Sequence, residues 1–246
     1  CFGLSTIWAV SKWLQLQPKT SAEPRDDYDW FKATIRLING WDEKRELSFE
    51  ESTEFERFYE LVKYFQLDQE QFKLENKQWD LIRGLNELNK TTIEKEYSIA
   101  GSFTLKQLKQ LLDTKSVIQD NKLIIIVTTS HAVALFKNKA DYFFYDPNNL
   151  AGEFQTSSID KITKMIFHEG FYTQNKNMPT TSEDYNTPAS FGFLMLSPDE
   201  KPPEYPSQKT VLDEIYSTIN PNEQYWMGGG LSLAAQIGCI ESLQYF

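Results

Sequence analysis

A chain of 246 residues, 40% of them hydrophobic and including 17 Phe, 12 Tyr and 6 Trp, is long enough to bury a sizeable core as one large domain or one domain with an appendage. With 35 acidic against 25 basic residues and a net charge of −10, it lacks the clustered Lys and Arg that a nucleic-acid footprint or an anionic membrane surface needs; a basic protein segment is the better electrostatic match. No apolar run approaches the ~20 residues of a membrane span, and no signal peptide opens the sequence. Two cysteines at opposite ends and two histidines give neither a disulfide framework nor a metal-spaced cluster, so a reducing compartment is expected, and no metal or other cofactor.

In chain order, Cys1 begins a segment with apolar residues at 1, 4, 7, 8, 10, 13 and 14, a helix buried around much of its circumference and stopped by Pro18. A thiol at such a helix start feels unpaired N–H groups and the positive end of the macrodipole, which favour the thiolate. After a polar loop over 21–25, residues 26–38 read as a helix ended by Asn39-Gly40. Ser48 with Glu51 three residues on is a capping-box pattern opening a helix to about Phe65, and Gln69 to Leu88 supplies another with Phe72, Trp79, Leu81, Ile82, Leu85 and Leu88 on its apolar side. These aromatic stripes are read as core packing in a helical subdomain.

Glu96 to Phe103 reads as a strand and Thr104 to Leu112 as a helix capped by Thr104. The apolar run Leu123 to Val127 has the length and β-branching of a buried strand. A hairpin follows, Ser130 to Phe136 and Asp141 to Asp146, turning within 137–140. With the turn centred on Asn138 and Lys139, His131 sits opposite Asp146, Val133 opposite Phe144 and Leu135 opposite Tyr142, all on one face with opposed Cβ atoms about 5 Å apart. A His oriented by a carboxylate is two thirds of a nucleophilic triad. Asp141, at the turn end, is the weaker acid candidate, and an Asp before Pro147 is also an ordinary turn residue. Past a turn at Pro147-Asn148-Asn149 come a short sheet extension at 152–154 and a helix capped by Ser157 or Ser158, near whose C-terminus His168 serves as a charge partner. Residues 172–189 form a long polar loop. Ser190 to Leu196 is a further strand, and a Pro-rich linker over 198–210 separates 1–197 from a helical segment over 211–246.

Two resemblances attach to these residues. Cys1-x-Gly3-Leu4-Ser5 at a helix start, Ser130-His131-Ala132-Val133-Ala134 after a buried strand, and the Tyr-Phe-Phe-Tyr-Asp146-Pro147-Asn148 ending together resemble the YopT-type cysteine peptidases, papain-like effectors of bacterial pathogens. The resemblance is strongest over 98–167, weaker over 1–17 and absent over 18–90. It implies an α+β papain-like cysteine protease fold, a helical subdomain plus an antiparallel sheet with the active site in the cleft between them. Cys1 is then the nucleophile, His131 the general base and Asp146 the orienting carboxylate. The substrate or partner is a protein of the host cell, in whose cytosol the secreted effector acts. The side-chain oxyanion donor that papain-like enzymes place before their cysteine has no counterpart ahead of Cys1. Gly230 to Phe246 resembles the first part of an ankyrin repeat, with Leu231-Ser-Leu-Ala-Ala235 in place of Leu-His-Leu-Ala-Ala and Cys239 in a structural helix position. A single repeat cannot bury its own face, so either it packs on the preceding domain or, as favoured here, more repeats follow, and the chain is a fragment of a longer protein.

The chemistry implied is acyl transfer, which the same triad also performs in deamidases, transglutaminases and acyltransferases. An N-terminal nucleophile hydrolase is disfavoured because its first residue begins a strand and Cys1 begins a helical pattern. The rival of another class is a non-catalytic scaffold that binds host protein through a papain-like domain and ankyrin repeats. Oligomeric state has no signature in the sequence.

Overall fold

A computed structural model describes residues 2–16, 27–41, 44–67, 94–149, 152–174, 186–197, 204–217, 228–237 and 239–245. The helix expected over 69–88 lies outside them, as does most of the loop expected over 172–189. The elements run α1 (Phe2–Leu16), α2 (Asp27–Gly40), α3 (Phe49–Leu67), β1 (Glu94–Phe103), α4 (Leu105–Asp113), β2 (Leu123–Val127), β3 (Ala132–Asn138), β4 (Asp141–Tyr145), β5 (Glu153–Thr156), α5 (Ile159–Gln174), β6 (Ala189–Ser197), α6 (Gln208–Tyr216), α7 (Gly228–Gln236) and α8 (Ile240–Tyr245).

The caps that the sequence marks are formed. Ser48 Oγ accepts from the Glu51 amide at 3.2 Å while Glu51 Oε2 accepts from the Ser48 amide at 2.9 Å, and Thr104 and Gln107 make the same reciprocal pair at the start of α4. Ser158 rather than Ser157 caps α5, its hydroxyl accepting from the Lys161 amide. That helix then runs past His168 and Gly170 to Gln174, so His168 lies inside it and not at its C-terminus. Glycine lowers helix propensity by only about 1 kcal/mol relative to Ala, which buried contacts of Ile162, Ile166 and Phe167 outweigh.

The six strands form one antiparallel sheet in the order β1-β6-β2-β3-β4-β5. Because side chains alternate across a strand, β2 serves two cores at once. Leu123, Ile125 and Val127 join Ala132, Ala134, Phe136, Phe143 and Tyr145 against α1 to α3, whereas Ile124 and Ile126 join Val133, Leu135, Tyr142 and Phe144 against α4 to α6. The molecule is thus a mixed helix and antiparallel-sheet structure with helices on both faces.

The hairpin turns one residue later than expected, which moves each strand partner by two. Asn138 pairs with Asp141, Leu135 with Phe144 and Ala134 with Tyr145, so the turn is Lys139-Ala140. Lys139 takes a left-handed φ of 54°. An even shift of partners leaves every side chain on its expected face, so the register is corrected while the grouping of Val133, Leu135, Tyr142 and Phe144 stands.

The C-terminal segment packs on the sheet, while Leu231 and Ile240 of the same segment stay exposed. Leu233 and Ala234 of α7 and Ile237 just after it are buried with Ala100 and Leu194 of the sheet, and the Gly230 amide donates to Ser102 Oγ at 3.2 Å. A Cβ on Gly230 would meet the backbone of Gly101 at 2.9 Å, so the glycine is what lets α7 lie against β1. Cys239 is buried, as expected of a structural residue.

Gly3 performs the same service for α1: a Cβ there would lie 2.3 Å from the Val62 carbonyl oxygen of α3. Gly3→Ala therefore forces two packed helices apart and is expected to cost about 1–3 kcal/mol, read as a lowered urea midpoint with an unchanged slope.

Candidate active site

β2 and β3 are joined by a tight turn. The Thr128 amide donates to the His131 carbonyl at 2.8 Å, and the His131 amide donates to Thr128 Oγ1 at 3.1 Å. Thr129 and Ser130 are left as the turn residues, and β3 starts at Ala132, one position beyond the imidazole. His131 is consequently fixed at the end of the sheet. Asp146 follows the last residue of β4. There the Asn149 amide donates to the Asp146 carbonyl at 3.0 Å and the Asn148 amide to Asp146 Oδ1 at 2.9 Å, an Asx turn that points the carboxylate back toward β3.

His131 Nε2 lies 2.7 Å from Asp146 Oδ1, with both residues almost wholly buried. A carboxylate only accepts, so Nε2 is the protonated nitrogen and Nδ1 of the neutral ring carries the lone pair. The side-chain amide of Asn148 is near both ring nitrogens, at 3.4 Å from Nδ1 and 3.5 Å from Nε2. Burial alone would raise the Asp146 carboxyl; the hydrogen bonds from His131 and the Asn148 amide, with the imidazole charge, outweigh it and leave the carboxyl below its ordinary value. Tyr145 beside it is pushed up to about 12, by burial first and by the Asp146 charge second.

This shift fixes a pH dependence. A carboxyl whose native pKa is depressed adds stability that is fully present above about pH 4, its unfolded range, and is lost as pH falls through the native value. Asp146→Asn is expected to be less stable than the unsubstituted protein at neutral pH, with the gap closing on acidification below that range. Urea unfolding of both proteins across pH 2.5–7 measures it.

The sequence-predicted residues divide clearly. His131 and Asp146 are brought together, through the turn at 146–148 rather than as directly opposed strand residues. Cys1 lies outside the described residues. The helix that begins immediately after it is tied to the same end of the sheet, because Ser5 in its first turn donates its hydroxyl to the Ala132 carbonyl at 2.9 Å. Asp141 pairs with Asn138 at the far end of the hairpin, away from His131.

Three residues were not singled out in the sequence. Ser5 appeared only as a letter of the opening motif. Asn148 had a signal that the register error hid: with the strand pairing summing to 279, position 148 lies across from 131. Glu169 had none, since only the fold lays α5 over the end of β3. One carboxylate oxygen of Glu169, one of Asp146 and one ring nitrogen of His131 lie within 4.8 Å of one another. Burial chiefly, then the Asp146 charge, raise the Glu169 carboxyl, with the imidazole pulling it the other way. The groove between α2 and α3, lined by Trp30, Leu37 and Phe49 among others, does not include these residues.

Fold and site together define an α+β protein with a buried, carboxylate-oriented histidine at the end of an antiparallel sheet. No protein-family model matches the chain and no curated protein matches it. Among solved structures it is similar to the Pseudomonas avirulence protein AvrPphB, at 19% identity and a TM-score of 0.37, over 80% of this chain and 90% of that one. It is also similar to the ubiquitin-specific protease encoded by murine cytomegalovirus tegument protein M48, solved with a ubiquitin-based suicide substrate, at 11% identity and a TM-score of 0.35, over 90% and 89% of the two chains. Both scores are too low to define a shared fold.

Proposed function

We propose that this protein is a papain-like cysteine peptidase in which Cys1 is the nucleophile, His131 the general base and acid, and Asp146 the group that orients it. The supporting observation is the 2.7 Å contact of His131 Nε2 with Asp146 Oδ1, which leaves the other ring nitrogen to exchange a proton with a thiol. The Ser5 bond to Ala132 ties the helix starting after Cys1 to the strand starting after His131.

The reaction would run in two halves. Thiolate sulfur attacks an amide carbonyl, the imidazolium gives its proton to the amine as the C–N bond breaks, and a thioester remains on Cys1. Water, deprotonated by the imidazole, then attacks the thioester, releasing a carboxylic acid and returning the proton to the ring. Asp146 stabilises the imidazolium in both halves. An amine in place of water gives acyl transfer and a side-chain amide in place of a peptide gives deamidation. By the family resemblance the substrate is a protein of a host cell and the site of action its cytosol. The scaffold alternative would bind host protein through the same domain without labelling at Cys1.

A thiol-directed electrophilic probe tests the proposal. Labelling at Cys1, absent in Cys1→Ala and retained in Cys239→Ala, is the expected outcome, because Cys239 is buried and hydrogen-bonded to Gln208 and Ser242. No labelling of Cys1 in the folded protein, with partner binding intact, would establish the scaffold.

A further inference from the structure

We infer that His131, Asp146 and Glu169 form a binding site for a divalent transition-metal ion, and that an ion held there silences His131 as a base. Its regulatory consequence rests on the acyl-transfer proposal; the site itself does not.

The three donors come from separate elements, the β2–β3 turn, the end of β4 and α5, and converge within 4.8 Å. Around a tetrahedral zinc ion, with Zn–N and Zn–O bonds of about 2.0–2.2 Å, ligand atoms stand roughly 3.3–3.5 Å apart. The His131–Asp146 contact would have to open from 2.7 Å by less than an ångström, and the pairs at up to 4.8 Å would have to close by at most about 1.5 Å. Shifts of that size are within side-chain torsions. One imidazole with two carboxylates is a donor set for Zn²⁺, Mn²⁺ or Fe²⁺ rather than for Ca²⁺, which takes oxygens alone. Two carboxylates and a neutral ring also cancel the charge of a divalent ion.

Two features separate this constellation from a chance cluster of surface acids. His131 and Asp146 are buried, and the Asn148 amide already holds Asp146 Oδ1, the kind of outer hydrogen bond that fixes a ligating carboxylate. Glu169 is half-buried, and its carboxylate lies within 4.8 Å of that of Asp146, so two like charges share the space. An ion would offset their repulsion.

The consequence for His131 follows from its single exchangeable proton. With Nε2 on the metal, the proton of the neutral ring sits on Nδ1, and no lone pair remains to accept one from a thiol. Metal occupancy and general-base function therefore exclude each other.

Zn²⁺ calorimetry and Co²⁺ absorption on the full chain carrying Cys1→Ser test the site without the thiol as a competing ligand. One equivalent of Zn²⁺ is expected to bind, with visible Co²⁺ bands saturating at the same ratio. Glu169→Gln and Asp146→Asn should each weaken binding at least about tenfold, and His168→Gln should not. Unchanged affinity in Glu169→Gln, loss of binding in His168→Gln, or no Zn²⁺ binding at all would overturn the inference. With Cys1 present, Zn²⁺ should slow probe labelling with the same midpoint as the calorimetry. Failure of the peptidase proposal would appear separately, as an unlabelled Cys1 in metal-free protein, with the titrations unaffected.

Discussion

His131→Ala is expected to slow probe labelling of Cys1 at neutral pH by about 10²–10⁴-fold, the range over which a positioned base contributes to proton transfer. The imidazole does two things that alanine cannot: it takes the thiol proton, and it leaves a cation beside the thiolate. Asp146→Ala should lose much of the same rate while keeping the ring, because nothing then accepts from Nε2–H to fix that tautomer or stabilises the imidazolium. Asp146→Asn should lose less: Oδ1 accepts both from His131 Nε2 at 2.7 Å and from the Asn148 amide at 2.9 Å, and an amide oxygen in that place still accepts from both. What Asn removes is the negative charge that stabilises the imidazolium, so the pair of variants separates charge from tautomer, and labelling rates across pH 6–8 measure the separation. If His131→Ala labels within twofold of the unsubstituted protein, Cys1 reacts without His131 and the proposed triad fails.

The legibility of this site in the sequence follows from which forces are local. Leu123 to Val127 is readable because five consecutive apolar, largely β-branched residues have one use in a sheet covered on both sides. The pairing of His131 with Asp146 was readable in outline, since period-2 alternation survives an even register shift. The register itself was not, because it turned on which residue would tolerate positive φ: Asn138 has the better propensity for it, yet Lys139 adopts it, and Phe136 pairs with Phe143. Nothing local encodes the approach of Glu169 from α5, or the Ser5 bond to Ala132, since both depend on how separate helices seat at the same end of one strand. The burial of Leu233, Ala234 and Ile237 was hidden as well. Their spacing fits a repeat helix and a sheet-covering helix equally well, and their contacts with Ala100 and Leu194 are not local.

Trp8→Ala should be the most destabilising single change in α1, about 3–5 kcal/mol, and at 2–4 °C per kcal/mol for a chain of this size it should lower Tm by roughly 6–20 °C. Trp8 is 1% exposed. It stacks on Tyr145 with centroids 5.3 Å apart and ring planes 9° from parallel, and its indole N–H donates to Glu153 Oε2 at 3.2 Å. One turn on, Lys12 pairs with the other Glu153 oxygen at 2.9 Å and lies over the Phe143 ring. Helix α1 is therefore stitched to β4 and β5 by one aromatic stack and one shared carboxylate, directly before the residue that orients His131. Trp8→Phe keeps the stack and gives up the hydrogen bond, so it should cost markedly less than alanine. The comparison carries a functional readout as well. If seating of α1 on β4 sets the distance between the start of that helix and His131, Trp8→Ala should reduce Cys1 labelling at temperatures where the protein is still folded by circular dichroism. Labelling that falls only in step with global unfolding would show that the Ser5 bond to Ala132 and the close Gly3 contact with α3 hold that end of the helix without the stack.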